Sequence, residues 1–476
     1  MLGKTRRIHF VGVGGIGMSG IAELLANLGF AVSGSDARRS EVTARLETTC
    51  GVAVHAGHAA AHVGDADVVV VSSAVRPGNP EVVEANRRGI PVIPRAEMLA
   101  ELMRLRFSIA VAGSHGKTTT TSMIALTLER AGLDPTAVIG GRLSAFGSNA
   151  RLGLSEYMVA EADESDRSFL MLWPSIAVIT NIDHEHMESY GSFEDLQQAF
   201  ADFANKVPFY GGVVACADDP AIAPVLPRVK RRVTTYGLEN PDAHLMGSDV
   251  VLGGFGARCT VRRRGAEGTR LLGELELAVP GRHNLLNALA AVAVADAVGV
   301  EFARVAPALR EFQGAERRFQ PHGEAGGVLV VDDYGHHPTE IAAVLAAARA
   351  TLGRRLVVAF QPHRYSRTQK LLQAFGPSMK EADEIVLTDI YAASEEPIPG
   401  ITVATLADAI RLGSGRPVHV VPRLDDVVPA LLKVVRTGDA VITLGAGSIG
   451  TLPGRLLAAL GTATSAIGIR DSETKD

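Results

Sequence analysis

The stretch Gly113-Ser114-His115-Gly116-Lys117-Thr118-Thr119 carries the residue types that hold a phosphate chain. Its glycines let a turn aim several backbone N–H groups at one anion, Lys117 adds a full charge, and the Thr118 hydroxyl is placed to ligate Mg²⁺. The usual loop has its first glycine at position 111, which here is Val111, so this is a shortened variant. ATP is the ligand that the combination predicts. Two polar stretches follow apolar runs further on: Glu161-Ala162-Asp163-Glu164 and Asn181-Ile182-Asp183-His184-Glu185-His186. Glu161 and His186 can join Thr118 around one Mg²⁺, an ion that prefers oxygen ligands and keeps several waters. Zinc is disfavoured there, because the two histidines are only two apart and no third ligand is evident.

Two further sets of residues have chemistry of their own. Near the N-terminus, Gly12-x-Gly14-Gly15-x-Gly17 precedes Ser35-Asp36; such glycines bring backbone close to a pyrophosphate, and an acid about 20 residues on reaches a ribose hydroxyl. NAD fits this pattern, as it would in a dehydrogenase, and a UDP-type pyrophosphate fits as well. Gly445-x-Gly447-x-x-Gly450 repeats the pattern, so it is a fold signal before it is a ligand signal. Towards the C-terminus, Asp332-Asp333-Tyr334-Gly335-His336-His337-Pro338 and Gln361-Pro362-His363-Arg364-Tyr365-Ser366-Arg367-Thr368 form polar loops after apolar strands, and Arg364 with Arg367 suits a small carboxylate. Asn284 and Asn287 sit one turn apart where an alanine-rich helix begins, and they either face an adenine or cap the helix. Arg317-Arg318 is either a surface pair or a clamp on a phosphate.

The elements that must position these residues alternate strand and helix, which predicts an α/β protein. Strands are expected at Ile8 to Val13, Phe30 to Gly34, Asp67 to Ser73, Ile109 to Ala112, Tyr157 to Glu164 and Ser175 to Ile182. Residues 244–280 alternate polar and apolar and read as a small antiparallel sheet. From Val328 a second regular alternation begins, with strands at Val328 to Val331, Leu356 to Phe360 and Ile385 to Ile390 and helices at Ile341 to Leu352 and Leu371 to Met379. In such sheets ligands gather outside the carboxyl ends of the strands. The length of 476 residues, at roughly 150 per domain, gives about three domains: 1–107, Rossmann-like; 108–320, a P-loop ATPase-type α/β domain with the small sheet; and 321–476, Rossmann-like and doubly wound. A hydrophobic share of 47% with 21% charged residues and a net charge of −5 describes a globular protein that is not a general nucleic-acid binder. Three scattered cysteines, Cys50, Cys216 and Cys259, suit a reducing cytoplasm and exclude a disulfide framework. No apolar run approaches the roughly 18 residues that span a membrane. Nothing in the sequence specifies an oligomeric state.

Over nearly its whole length the chain resembles the Mur ligases, the ATP-dependent amide-bond-forming enzymes of peptidoglycan precursor synthesis. The resemblance rests on the glycine loop continuing Met18-Ser19-Gly20, the phosphate loop, Glu161 to Ser165, Asn181 to Met187, Gly281-Arg282-His283-Asn284, Arg317-Arg318-Phe319, Asp332 to Pro338 and His363 to Arg367. It is strongest to the branch that adds L-alanine to UDP-N-acetylmuramate; a branch that adds a whole peptide to the same sugar nucleotide is the nearest alternative. It implies that Gly14, Gly15, Gly17, Ser35, Asp36 and Ser73 meet the UDP-sugar rather than NAD, and that Gly113 to Thr119 cradles ATP. Mg²⁺ is then expected at Thr118, Glu161 and His186, adenine near Asn284 and Asn287, and triphosphate contacts from Lys117, Arg318 and Asp333. Lys117, Glu161, His186 and Arg318 are the catalytic set it implies. His363, Arg364 and Arg367 would hold the alanine carboxylate, with His186, His336 or His337 taking the amine proton. One departure is informative. Other branches carry a carbamylated lysine shortly after the His186 motif, and here that position falls on Phe203, as in the alanine-adding branch.

Overall fold

The computed structural model describes residues 3–72, 74–143, 148–253, 255–393 and 395–470. Ser73 lies outside them. The chain forms two compact bodies: one holds residues up to Val250 with Arg258–Glu276 and Asn284–Gln313, the other Val251–Ala257, Leu277–His283 and the chain from Gly314 onward. Among the described residues no helix is long and apolar enough to cross a membrane.

The first body contains two sheets. Strand Arg7–Val11 is the centre of the first, with Ala31–Asp36 and Ala53–Ala56 parallel on one side and Val68–Val71 and Val92–Pro94 parallel on the other. The order reverses at the central strand, so the loop after Val11 opens at the crevice where doubly wound sheets bind ligands. In the ten-stranded second sheet, Phe107–Ala112 lies between Tyr157–Glu161 and Ile176–Ile179, parallel to both. The register pairs Val111 with Glu161 and Ala112 with Ile179, which brings three carboxyl-terminal strand ends level with one another. These strands are continuous runs of buried Ile, Val and Ala, as strands covered on both faces must be. Strands Leu245–Gly253, Gly256–Gly265 and Gly268–Leu277 extend one edge of this sheet, where the alternating pattern places them.

The second body is built on six strands. Gln320–Ala325 is antiparallel at one edge, and Val328–Asp333, Ala440–Leu444, Leu356–Phe360, Glu384–Leu387 and Val418–Val420 run parallel. Alternate residues of one strand enter two separate cores: Leu329 and Val331 pack with Ile341 and Leu345, whereas Val328 and Val330 pack with Leu452 and Leu456. That two-sided burial is the doubly wound arrangement. Several elements are shorter or divided relative to expectation, among them the strand expected over Ser175 to Ile182, which spans Ile176–Ile179. The strand from Tyr157 stops at Glu161, releasing Asp163 and Glu164 into a loop, and the strand from Glu384 stops at Leu387. The helix expected over Leu371 to Met379 starts earlier, as Tyr365–Lys370, and resumes as Leu372–Ser378 after a break at Leu371, whose φ of −107° is not helical.

Candidate functional site

The phosphate loop links strand Phe107–Ala112 to helix Lys117–Arg130, and it is held from the strand beside it. Ser114 N–H donates to the Asn181 carbonyl at 3.0 Å, His115 N–H to Asn181 Oδ1 at 2.8 Å, and Thr180 Oγ1 to the His115 carbonyl at 2.6 Å. Asp183 N–H donates back to Ser114 Oγ at 2.8 Å. Both loop glycines are required. Gly113 has φ +137°, and a β-carbon there would overlap the Thr180 hydroxyl and stand 3.0 Å from the Asn181 carbonyl oxygen; Gly116 has φ +80°, and a β-carbon would lie 2.7 Å from Asn287 Oδ1. The loop is therefore held in this conformation by Thr180 and Asn181, just past the strand Ile176–Ile179. Asn181 opens one of the polar stretches read from the sequence, without a role assigned to it, and Thr180 is not among the candidates; its place just past an apolar strand beside the loop is the signal that could have found it.

Lys117 Nζ donates to the Gly113 carbonyl at 2.6 Å, the Ser114 carbonyl at 3.2 Å and Glu164 Oε1 at 2.8 Å. Burial opposes the ammonium, but the carboxylates of Glu164 and Asp163 more than offset it, and the lysine pKa stands above its ordinary value. Burial also dominates at Glu164, pushing its carboxyl up to about 7 against the pull of Lys117. The other oxygen of Glu164 is buried with no hydrogen-bond partner, and unpaired buried oxygens are costly enough to mark a function. His186 Nε2 approaches the same carboxylate at 3.9 Å and Glu185 at 3.7 Å, on a backbone with φ +56°, the kind of strained conformation that clusters at working sites. His115 Nε2 meets Asp183 Oδ2 at 2.9 Å. Glu161 ends its strand opposite Val111, one residue before the P-loop strand itself ends. The structure thus gathers Lys117, Glu161 and His186 at adjoining strand ends and adds Glu164. An oxygen-rich donor set with one unsatisfied buried carboxylate oxygen fits a hard divalent cation such as Mg²⁺.

Asn284 and Asn287 lie on helix Arg282–Ala297, both buried. Asn287 Oδ1 accepts from Thr120 Oγ1 at 3.1 Å and its Nδ2 donates to Asn284 Oδ1 at 3.4 Å. The Asn287 amide is therefore engaged in tying this helix to the phosphate-loop helix rather than in capping.

At the glycine loop of the first sheet, Gly12 and Val13 N–H donate to the Ser35 carbonyl at 2.8 and 3.0 Å, and Gly14 N–H donates to Asp36 Oδ2 at 2.8 Å. A β-carbon on Gly14 would stand 2.8 Å from the Asp36 carboxylate, and one on Gly17 2.9 Å from the Arg95 guanidinium. Arg95 also lies 3.7 Å from Asp163. An arginine over the start of helix Ile16–Asn27 adds positive charge where an anion would sit, and no motif spacing ties it to the glycine loop.

In the second body the later glycine pattern has a structural use. Arg317 donates to Asp332 Oδ2 at 2.7 Å and to the Gly445 carbonyl at 2.6 Å, and a β-carbon on Gly450 would strike its guanidinium at 2.5 Å. Gly450 makes room for an arginine of the protein itself, while Gly445 and Gly447 let the backbone pass close to Gln361. Arg317 and Phe319 both have positive φ, and the segment is pinned by Tyr334 N–H to the Arg317 carbonyl at 2.7 Å and Phe319 N–H to Asp333 Oδ2 at 2.7 Å. Asp333 also accepts from Gly335 N–H at 2.6 Å. Both carboxylate oxygens serve the backbone, and burial pushes this carboxyl up to about 6, so the acid expected to contact triphosphate shapes the loop. Arg318 stands over the Tyr334 ring at 5.2 Å and 3.5 Å from Glu340.

His336 and His363 face each other with ring centroids 5.6 Å apart, His363 stacks on Tyr391 at 5.5 Å, and Arg367 Nη1 lies 3.3 Å from His363 Nδ1. Arg364 precedes the short helix with φ +72°, its N–H donating to the Tyr391 carbonyl at 2.8 Å. Burial holds His336 down at about 3; burial, with the charges of Arg367 and Arg364, holds His363 down at about 4. Both rings are neutral near pH 7 beside two arginines, an environment for a small anion. His337 is separate in role. It is buried and caps helix Pro338–Leu352, its Nδ1 accepting from Thr339 N–H.

Three family models cover the chain in order: the Mur ligase family catalytic domain at residues 7–107, the Mur ligase middle domain at 111–295 and the Mur ligase glutamate ligase domain at 317–447. The chain belongs to the Mur ligase family. A Mur ligase of Anaeromyxobacter dehalogenans, UDP-N-acetylmuramate–L-alanine ligase, is 55% identical over 96% of this chain and 98% of its own. Among solved Mur ligases, the UDP-N-acetylmuramate–alanine ligase of Thermotoga maritima is 30% identical with a TM-score of 0.80, covering 96% and 99% of the two chains, and a murein peptide ligase of Psychrobacter arcticus is 28% identical with a TM-score of 0.70, covering 96% and 98%. Where other Mur ligase branches are expected to have a lysine, Phe203 is fully buried and stacks on Phe169 at 5.1 Å; it is a core residue.

Proposed function

We propose that the protein is an ATP-dependent ligase that joins L-alanine to the lactoyl carboxylate of UDP-N-acetylmuramate. The observation that carries this reading is the phosphate loop itself: a fully specified turn with Lys117 fixed 2.6 Å from the Gly113 carbonyl, at the convergence of three strand ends. Near-complete likeness to relatives of that named activity, at 55% identity, supports the alanine-adding branch over the peptide-adding one. A dehydrogenase has no use for a P-loop lysine. In domain terms, residues 1–107 take the UDP-sugar, 108–320 take ATP and 321–476 take the amino acid.

In the mechanism we infer, the loop N–H groups and Lys117 offset charge on the γ-phosphoryl group as the substrate carboxylate attacks it in line and ADP leaves. A magnesium ion held by Thr118, Glu161 and His186 would supply further charge neutralisation on the phosphates. Lys117 must release Glu164 to reach them, and the raised Glu164 pKa lets that carboxyl take a proton when its cation departs. The amine of L-alanine, its carboxylate held by His363, Arg364 and Arg367, then attacks the acyl carbon; phosphate leaves and the amine loses a proton. With its ring held down at about 3, His336 cannot retain this proton, which passes to solvent. The test is phosphate release from ATP with UDP-N-acetylmuramate and L-alanine supplied together and singly. Release is expected only with both; release with one or neither overturns the reading.

A further inference from the structure

The first sheet contains a buried carboxylate that the mechanism does not use. Glu81, at the start of helix Pro80–Arg87, is fully buried. Its Oε2 accepts from Ser35 Oγ at 2.6 Å and from His9 Nε2 at 3.0 Å; its Oε1 accepts from Ala59 N–H at 3.1 Å and lies 3.3 Å from Nδ1 of both His58 and His62. His9, itself buried, hydrogen-bonds Ser33 Oγ through its other nitrogen at 2.8 Å, and His62 stacks on His55. A buried carboxylate with this many donors is rare, because a charge is tolerated inside only when its lone pairs are satisfied. Burial works against the charge, and the donors from His9 and Ser35 overcome it, holding the carboxyl down at about 2.

Its position gives the cluster a use. Ser35 is the residue whose carbonyl takes the Gly12 and Val13 N–H groups, and Asp36 beside it takes Gly14 N–H. The glycine loop is thus clamped by a dipeptide whose serine is itself anchored by Glu81. We infer that Glu81 is a positioning residue for sugar-nucleotide binding: acting through Ser35, it fixes the clamp that sets the Gly12–Gly17 loop for the pyrophosphate. This rests on the assignment of the UDP-sugar to that loop.

The test is a double-variant cycle with Glu81→Gln and Ser35→Ala. Glu81→Gln is expected to raise the KM for UDP-N-acetylmuramate tenfold or more, with kcat at saturation and the KM for ATP within twofold of wild type. Ser35→Ala, which leaves the carboxylate its other donors, is expected to raise the same KM threefold or more. Because one residue acts through the other, the double variant should lie within twofold of Glu81→Gln alone. Additive effects, a fall in kcat with KM unchanged, or a sugar-nucleotide KM unaltered in Ser35→Ala would each overturn the inference, and Ser35→Ala keeps the test decisive if Glu81→Gln does not fold. Calorimetric titration of the wild-type protein with UDP-N-acetylmuramate separates the two levels: no binding there removes the underlying assignment, whereas binding with normal affinity in both variants removes only the role of Glu81.

Discussion

Substituting Gly113 by alanine isolates what the loop geometry contributes. At φ +137° a side chain costs about 1–3 kcal/mol in backbone strain. The new methyl would overlap the Thr180 hydroxyl, which donates to the His115 carbonyl at 2.6 Å; forcing them apart costs about 1–3 kcal/mol, and losing that hydrogen bond about 1 kcal/mol. The sum, about 3–7 kcal/mol, exceeds what the loop can absorb without moving. A displacement near 1 Å at a reacting group costs on the order of 100-fold in rate. Gly113→Ala should therefore lower kcat/KM for ATP by about that factor and reduce the first thermal transition by roughly 5–10 °C. Thr180→Gly in the same chain should return part of the stability by removing the overlap, while the φ strain persists. The measurements are steady-state phosphate release and differential scanning calorimetry. A folded Gly113→Ala protein with kcat/KM within threefold of wild type and an unshifted transition would refute the claim that this backbone is a rigid phosphate cradle.

Four other outcomes are expected. Lys117→Ala should abolish turnover while leaving UDP-N-acetylmuramate affinity, read by calorimetry, within twofold; loss of both would make the loop structural. The same variant strands Glu164, whose folded pKa already lies above its ordinary 4.5, so the stability deficit against wild type should be larger at pH 8 than at pH 5.5, the carboxyl being easier to neutralise at low pH. Phe203→Ala should cost about 3–5 kcal/mol in stability without altering the Mg²⁺ dependence of ATP turnover, since the ring is core; a changed metal requirement would contradict this. In the second body His283 is held at about 4 by burial and then by Arg318, and His336 and His363 are also depressed. The unfolded chain binds more protons than the folded one between pH 6.5 and 4, so this body should lose stability as pH falls through that window, opposed only in part by Asp333, whose carboxyl is raised. His283→Gln should flatten the dependence by up to about 3 kcal/mol, measured as melting temperature against pH.

How much of this was legible in the sequence depends on the range over which each residue acts. The phosphate loop, the acids after the strands and the loops from Asp332 and Gln361 were readable because strand, glycine turn and helix follow one another locally, and parallel sheets place such ends on one side. Partners distant along the chain were not. Asn287 pairs with Thr120 across 167 residues and Glu81 with His9 across 72, and no spacing rule links them; only burial and distance reveal that the first fixes the helix behind the loop and the second is a hub. Glu164 stood in plain view within its motif, yet its identity as the counter-ion of Lys117 needed the strand to stop at Glu161.

The two glycine patterns carry the argument furthest. Gly12-x-Gly14-Gly15-x-Gly17 and Gly445-x-Gly447-x-x-Gly450 are near equivalents as text, and both follow a central parallel strand. What separates them is which side chain fills the space that each lost β-carbon leaves. At Gly14 it is the Asp36 carboxylate, at Gly17 the edge of Arg95, and at Gly450 the Arg317 guanidinium, bonded to Asp332 and the Gly445 carbonyl. The first loop keeps an arginine beside a helix start, where a pyrophosphate gains from dipole and charge together. The second has its cation committed to a carboxylate and a carbonyl of the fold, so a phosphate would have to displace a charge-assisted pair before it gained anything. The same glycine pattern therefore leaves an arginine beside a helix start in one sheet and builds an internal joint in the other, and the deciding residue in each case lies outside the motif.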